Sequence, residues 1–522
     1  MEKIATDTYS FEDLRRGGFV YVDKTAILRP LADGSVGKQF FIARPRRFGK
    51  SLAVSTLKCL FEGRRELFGG LAIEPGWDWT KRWPVIHLDM GSCQAESAES
   101  LRSKLHTMLV KESERLGVPL RAGCDPADQF GFLLADAARR LASADGKVVL
   151  LVDEYDKPLL GRLGQANVAE FQRELKAFYS VIKTNEGLQR FALVTGVSKF
   201  SKVSIFSDLN NLNEFSMVAR VAELFGYTHG EVRANFPEAL AALGARHGLD
   251  PVGIFSKLAR WYNGYRFEET SGQVFNPVSV GKCLSTGKFE PFWFETGTPT
   301  FLLKLMAEDP IEPGDVELPI TSFSVYEPSA PAILPLLYQT GYLTIKGDRW
   351  DGEEHVYRLG TPNLEVAKAF SSALSLEFSR LPSAEHASLL TQMCAALRGG
   401  DVDDMLDALS CFFANIPANI TVRREKYYQS LFYAVFVLIG ARVQAECWTN
   451  RGRIAAVVET AGDVYVFEFK LDGMAEAALA QISERGYHER FLRAGKRLTL
   501  VGAAFDAGMR NLSDRRVEVV GR

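Results

Sequence analysis

Gly49, Lys50 and Ser51 follow one another where an apolar run gives way to a segment of helical periodicity. The run at 38–43 is typical of a buried strand, and the segment at 50–61 is typical of a helix. Glycine lets the backbone approach a phosphate, lysine neutralises the β- and γ-phosphates, and serine can hold magnesium. Free N–H groups at the helix start complete an anion site. The pattern therefore predicts a Walker A loop that binds a nucleoside triphosphate.

The loop before this glycine is rich in arginine. Arg46 and Arg47 add positive charge beside the predicted phosphate site. Arg44 stands six residues before Lys50, where the standard loop has its first glycine. Because a Gly-Lys-Ser tripeptide also occurs in plain loops, the prediction depends on a second element.

That second element is an acidic strand end, since the apolar residues 149–152 run into Asp153 and Glu154. Asp153 can hold the magnesium shell, and Glu154 can orient or deprotonate the attacking water. An acidic strand end could instead cap the next helix. Thr195 ends the following strand and is either a polar sensor of the γ-phosphate or a turn threonine. Together these residues predict an ATP and Mg²⁺ site capable of hydrolysis.

Further apolar strands at 84–90, 147–154 and 190–197 are separated by helical stretches. Near-continuous apolar strands that alternate with helices favour a parallel sheet covered on both faces, and therefore an α/β fold. From residue 276 the pattern changes to short helices and a strand pair at 336–346 and 355–360, which suits a helical, winged-helix-like lid. We therefore expect three domains, an ATPase domain at 1–275, a lid at 276–380 and a third domain at 381–522.

The third domain carries a second candidate site. Glu468 and Lys470 are two residues apart on a predicted strand, so their side chains share one face. A carboxylate beside an amine can bind magnesium and position or activate water for attack on a phosphodiester. The pair could equally form a salt bridge on a solvated face. The surrounding order is helix, three strands, helix and strand.

Seven strings carry a resemblance to a known family. They are YVDKT (21–25), RPRRFGKS (44–51), LVDEYDKPL (151–159), TGVSKFSKVSIFSDLNNL (195–212), WYNGYRF (261–267), WFETGTPTFLLKL (293–305) and LLYQTGYLTI (336–345). In this order they resemble the AAA-ATPase-like family of bacterial and archaeal proteins over roughly residues 1–365. In that family the arginine-rich loop replaces the first glycine, so Arg44 is expected. The resemblance implies a P-loop ATPase with a lid.

The carboxyl-terminal αβββαβ order resembles a restriction-endonuclease-like domain of the PD-(D/E)XK nuclease superfamily over roughly residues 395–522. The resemblance implies that Glu425 and Glu468 are metal-associated acids. It also implies that Lys470 is the catalytic lysine and that Gln481 is a supporting polar group. The expected metal is Mg²⁺, with Mn²⁺ as an alternative at this site.

One position departs from that family. Its second strand reads glycine, arginine, an apolar residue and aspartate, whereas here 452–454 is followed by Ala455. The missing aspartate is the principal metal ligand, so we expect the nuclease to be inactive in this sequence. Either the alanine was engineered into a working nuclease, or the site decayed naturally into a binding or scaffold module.

Charge and cysteine usage bound the partners and the compartment. The 62 basic and 64 acidic residues give a net charge of −2, so any contact with nucleic acid must be local. Seven dispersed cysteines without a CxxC pair, a start without a signal-peptide core and the lack of a membrane-length apolar run predict a cytoplasmic protein that does not enter a membrane. P-loop ATPases often complete their sites in trans, so self-association is also expected.

Two functional hypotheses follow. In the first, ATP binding and hydrolysis gate a metal-dependent nuclease that acts on nucleic acid, DNA rather than RNA, in microbial defence or genome maintenance. In the second, a nucleotide-switched protein binds nucleic acid, or serves as a scaffold, through a naturally dead nuclease fold. An ATPase motor with a structural tail is a third alternative.

Overall fold

The computed structural model describes most of the chain. The described residues are 2–141, 145–199, 211–293, 316–324, 332–379, 381–415, 432, 435–436, 442–449, 452–460, 462–492, 495–506, 508–509 and 511–521, with the backbone alone at 378–379, 442–449, 452–455 and 521. Two compact units divide the chain, Met1–Trp293 with Glu317–Asn363, and Phe294–Val316 with Leu364–Arg522. The three predicted domains stay a prediction. Within the described ranges, no helix is long and apolar enough to cross a membrane.

The first unit contains these α-helices: α1 (Phe11–Gly17), α2 (Thr25–Ala32), α3 (Lys50–Phe61), α4 (Ala98–Leu116), α5 (Pro126–Arg140), α6 (Lys157–Leu160), α7 (Val168–Thr184), α8 (His229–Asn235), α9 (Pro237–His247), α10 (Pro251–Tyr262), α11 (Pro277–Thr286) and α12 (Ile333–Thr340). Its strands are β1 (Gln39–Ala43), β2 (Val85–Asp89), β3 (Val148–Asp153), β4 (Gln189–Gly196), β5 (Asn213–Glu214), β6 (Val316–Pro319), β7 (Thr344–Asp351) and β8 (Glu354–Gly360).

The main sheet of this unit has the strand order β2-β3-β4-β1-β5, and its neighbours pair in parallel. Strands β1 and β3 are buried along their whole length, because helices cover both faces of the sheet. The predicted parallel sheet is therefore confirmed. Parallel strands bring their carboxyl ends to one edge, so the loop after β1 and the acids at the end of β3 share that edge.

The predicted strand at 336–346 is wrong over its first half. Residues up to Thr340 form the end of α12, and β7 begins only at Thr344. Gly341 ends the helix with a φ of 91°, a left-handed conformation that favours glycine. An apolar run of this length does not distinguish a helix from a strand by periodicity, which explains the error. The hairpin of β7 and β8 is antiparallel, and β6 lies beside β8.

The second unit contains α13 (Leu364–Ser379), α14 (Ser383–Gly399), α15 (Val402–Ala414) and α16 (Ala475–Glu484), with β9 (Arg442–Thr449), β10 (Gly452–Glu459), β11 (Asp463–Leu471), β12 (Arg497–Asp506) and β13 (Asn511–Gly521). Its sheet has the order β13-β12-β11-β10-β9, in which only the pair β11 and β12 is parallel within the described residues. This mixed sheet is consistent with the predicted nuclease-like fold. Strand β13 extends it beyond the predicted order.

Apolar side chains of strands and helix α16 form the core of this sheet. The fully enclosed members include Val457, Val466, Ile482 and Leu500. Of the helix predicted at 425–440, only 432 and 435–436 lie in the described residues, and they are helical. The rings of Phe432 and Phe436 stack at 4.2 Å and both contact Phe467 of β11.

Candidate functional site

The loop between β1 and α3 has the backbone that a phosphate site needs. Gly49 precedes the first residue of α3 and has a φ of 93°, which a side chain would strain. The Lys50 ammonium donates hydrogen bonds to the carbonyl oxygens of Arg44 and Pro45, both at 3.0 Å. Burial lowers the pKa of Lys50, although the charges of nearby carboxylates oppose that shift. A bound phosphate would compete with the two carbonyls for this ammonium.

Arg44 stabilises the start of the loop through hydrogen bonds to backbone carbonyl oxygens. Its buried guanidinium donates to the carbonyl oxygens of Ala43 at 2.9 Å, Ser216 at 2.6 Å and Val221 at 3.2 Å. The same group lies 4.3 Å from the centre of the Phe267 ring. Burial lowers the Arg44 pKa to about 10. This arginine therefore has a structural task, which explains how it can replace the first glycine.

Arg46 and Arg47, further along the loop, form hydrogen bonds with Trp293 and Phe292 of the same unit. The Trp293 indole donates to the Arg46 carbonyl at 3.2 Å, and the Arg47 guanidinium donates to the Phe292 carbonyl at 2.6 Å. Arg47 has a φ of 66°, an uncommon value for a residue with a side chain. Arg47 also lines the cavity described below, whereas Arg46 meets Trp293 through its backbone.

The structure brings the acid of β3 and the threonine of β4 together. Asp153 accepts a hydrogen bond from the Thr195 hydroxyl at 2.5 Å and one from the Glu154 N–H at 3.0 Å. Glu154 has a φ of 52°, and its carboxylate lies 3.5 Å from the Lys157 ammonium. Thr195 thus orients Asp153, and its part in sensing a γ-phosphate stays a prediction.

Sequence reasoning missed a buried carboxylate just after these acids. Asp156 is fully buried and accepts hydrogen bonds from the backbone N–H of Val197 and of Ser198, and from the Ser198 hydroxyl at 2.5 Å. It therefore ties the segment after β3 to the segment after β4. Its only sequence signal is its place in the family string at 151–159.

Asp23 and Lys24, from the string at 21–25, also have structural tasks. The Lys24 ammonium is paired with the Glu231 carboxylate at 2.6 Å and donates to the Glu223 carbonyl at 2.8 Å. Asp23 accepts from the Thr25 N–H at 2.8 Å and from a backbone N–H further along the chain. These contacts fix the segment before α2 against the start of α8.

A cavity of about 670 Å³ contains the predicted phosphate site. Its wall includes Gly49, Lys50, Ser51, Asp153 and Glu154. The volume falls within the range of small-molecule and cofactor pockets. The cavity therefore fits a nucleotide, and its lining combines cationic, hydroxyl and carboxylate groups.

In the second unit, Glu468, Lys470 and Gln481 form one hydrogen-bonded chain. The Gln481 amide nitrogen donates to the Glu468 carboxylate at 2.7 Å, and its amide oxygen accepts from the Lys470 ammonium at 2.6 Å. Glu468 is buried, so its charge depends on such partners. The structure places the two strand residues on one face and brings them to α16, as the resemblance implies.

Ala455 lies within β10, the strand that pairs with β11, which carries Glu468 and Lys470. Ala456 of β10 pairs with Phe467 of β11, and Ala455 and Glu468 are the residues next to this pair on their two strands. A methyl side chain offers no metal ligand, and no group of three candidate ligands is spaced for a metal ion among the described residues. Glu425 lies outside the described residues. The residues present at this site therefore fit a divalent metal poorly.

Comparisons with known proteins support both predicted types of domain. A family model described as "Predicted AAA-ATPase" matches residues 5–206, and a model of the PD-(D/E)XK nuclease superfamily matches residues 423–515. The chain belongs to this AAA-ATPase-like family and combines an ATPase-like domain with a nuclease-superfamily domain. It is 37% identical over 535 residues to "Uncharacterized protein in vnfD 5'region" of Azotobacter chroococcum mcd 1, covering 100% of this chain and 99% of that relative. No solved structure matches the chain.

Proposed function

We propose that the first unit binds and hydrolyses ATP. The observation that carries this proposal is the cavity in which Lys50 and Ser51 face the strand end at Asp153 and Glu154. In this arrangement Lys50 binds the β- and γ-phosphates, and Ser51 and Asp153 hold the magnesium shell. When bound, magnesium neutralises charge that develops on the phosphates.

Glu154 is the proposed group that activates water, and Thr195 keeps Asp153 in place. Glu154 directly follows β3, so its carboxylate enters the same cavity as Lys50. A carboxylate there can orient a water and accept its proton. The Lys157 ammonium lies 3.5 Å from this carboxylate and helps to hold it at the strand end.

ATP turnover and ATP binding in three variants test this assignment. Lys50→Ala is expected to abolish binding, whereas Glu154→Gln is expected to bind ATP and hydrolyse it at least about 100-fold more slowly. Lys81→Ala is the control, because this exposed lysine pairs with Asp78 on the surface and does not line the cavity. Undiminished hydrolysis by Lys50→Ala would contradict the proposal.

The proposed task of the second unit is cleavage of nucleic acid, gated by the nucleotide state of the first unit and disabled here by Ala455. Support comes from the hydrogen bonds that join Glu468, Gln481 and Lys470, and from the pairing of Ala456 with Phe467, the residues next to Ala455 and Glu468. DNA is the proposed substrate and defence or genome maintenance the proposed setting, in the cytoplasm. Self-association of the ATPase is part of the same proposal.

Restoring the acid tests the nuclease. Ala455→Asp is expected to cleave plasmid or single-stranded DNA with Mg²⁺ or Mn²⁺, and ATP is expected to change the rate. Ala455→Asn, of nearly the same size but weaker as a ligand, and the double variant Ala455→Asp with Lys470→Ala are the controls. Cleavage by neither the restored protein nor the original chain, on DNA or RNA, would count against a nuclease.

Ala455 itself favours a second candidate, a nucleotide-switched protein that holds nucleic acid without cutting it. Filter binding of DNA and of RNA, each with and without ATP, tests this candidate. Retention that depends on ATP, together with an inactive Ala455→Asp variant, would favour it. ATP turnover without any retention would instead favour an ATPase with a structural tail.

A further inference from the structure

The cavity that contains the phosphate loop extends well past that loop. The lining outside the phosphate loop, here the far part, includes residues of the segment before α1, of the segment between α1 and α2, and of α11. Val20, Val22 and Val278 are the apolar wall of this lining, and Tyr9 also lines the cavity. Nothing in the phosphate chemistry requires such a wall.

Specific contacts hold this wall in place. The backbone N–H of Phe11 donates to the Ser55 hydroxyl of α3 at 3.0 Å, and the N–H of Val20 donates to the Lys3 carbonyl at 2.9 Å. Gly281 of α11 lies beside the segment before α1, since an added Cβ there would be in van der Waals contact with Ile4, at 3.5 Å. The wall is thus attached to α3, the helix that starts at the phosphate loop.

Tyr9 differs from the other aromatic side chains of the cavity. Tyr21 and Tyr227 are packed into the protein, and the Tyr21 hydroxyl lies 3.4 Å from that of Thr56. Tyr9 is 65% exposed although it lines the cavity. An exposed aromatic ring beside an apolar wall can stack on a nucleobase, because every base has a π face.

We infer that this far part of the cavity is a nucleoside subsite that takes a purine base, with Tyr9 as the residue that stacks on it. The inference rests on the proposed ATPase function, since the triphosphate at Lys50 directs the nucleoside into this part. The base lies between the Tyr9 ring and the wall formed by Val20 and Val278. The subsite accounts for apolar lining that a triphosphate alone leaves unused.

Binding to the full-length protein tests the subsite, with ATP, GTP and tripolyphosphate as the probes in the presence of Mg²⁺. Tyr9→Ala is expected to weaken ATP binding about tenfold, a loss typical of removing an aromatic partner from a base. Tyr9→Phe keeps the ring and is expected to bind ATP as the original chain does. Tripolyphosphate lacks a base, so its affinity is expected to be the same in all three proteins.

A matched control is Trp350→Ala, which removes another exposed aromatic side chain, 69% exposed and outside this cavity. Equal losses for ATP and GTP would assign the subsite to purines in general, and a loss for ATP alone would assign it to adenine. If Tyr9→Ala binds ATP normally while Lys50→Ala does not, the subsite is wrong and the ATPase proposal stands. If Lys50→Ala also binds ATP normally, both are wrong.

Discussion

The hydroxyl of Thr195 donates a hydrogen bond to the carboxylate of Asp153 at 2.5 Å, joining the ends of β4 and β3. Both residues are buried, where a polar group that loses its hydrogen-bond partner is costly. The acid proposed to hold the magnesium shell is therefore aimed by a residue of the neighbouring strand.

Replacing Thr195 by valine keeps the shape and removes the donor. We expect kcat for ATP to fall about tenfold and the Mg²⁺ concentration for half-maximal rate to rise, because Asp153 loses a bond worth about 1–3 kcal/mol. Steady-state ATPase assays over a magnesium series measure both. Thr195→Ser retains the hydroxyl and should resemble the original chain. A Thr195→Val variant with unchanged magnesium dependence would show that the bond has no part in aiming Asp153.

Asp156 should matter for stability more than its neighbours in the sequence suggest. In Asp156→Asn an amide replaces a buried carboxylate that accepts hydrogen bonds from Val197 and Ser198. The NH₂ group of the amide would then face N–H and O–H donors and leave them without an acceptor. We expect a loss of about 3 kcal/mol in the free energy of unfolding, measured by urea denaturation. Asp33→Asn is the control, because its exposed carboxylate accepts one bond from Ser35 that an amide oxygen can also accept. Equal stability of the two variants would contradict this account.

The glycine that ends α12 offers a test of packing behind the phosphate loop. A Cβ on Gly341 would lie 2.7 Å from the Cβ of Pro45, and its φ is 91°. Gly352→Ala is the matched control, since φ there is 64° but an added Cβ meets no atom within 4 Å. We expect Gly352→Ala to cost about 1 kcal/mol of stability through backbone strain alone. Gly341→Ala should cost more and also weaken ATP binding, measured by titration calorimetry.

His386 should make the second unit sensitive to acid. Its buried ring contacts the Ser375 hydroxyl at 2.9 Å, and burial lowers its pKa below the usual 6.5. The unfolded chain therefore binds the proton first, so stability is present above pH 6.5 and is lost as the pH falls below it. His386→Gln keeps a polar partner without this titration. The urea midpoint should drop less between pH 7.5 and 5.5 in this variant than in the original chain.

Gln481 should be needed in a protein whose nuclease acid has been restored. In Ala455→Asp, the added change Gln481→Ala removes the amide that connects Glu468 to Lys470 by hydrogen bonds. We expect cleavage to slow about 10- to 100-fold, as when an outer partner of a metal ligand is lost. Gln392→Ala, at an exposed helix position, is the control for the same chemical change. Cleavage at the undiminished rate would show that the amide does not position the pair.

Local patterns predicted what is locally determined. The strands around Phe41 and Leu150 could be predicted because they are continuous apolar runs. The turn at Gly49 could be predicted because its left-handed backbone conformation favours glycine. The distant partners of Asp156 and Arg44 could not be predicted, because they lie 41 to 177 positions away along the chain. The helix before Gly341 was missed for a different reason, since its apolar residues suit either type of element.

Strand β4 lies between the strand that leads into the phosphate loop and the strand that ends in Asp153. Just past its end, the Lys199 N–H donates to the Gln339 side chain of α12 at 2.9 Å. This bond connects the segment after β4 to α12, the helix that precedes the β7 and β8 hairpin. The strand between β1 and β3 is therefore joined to the hairpin through this bond and the intervening helix.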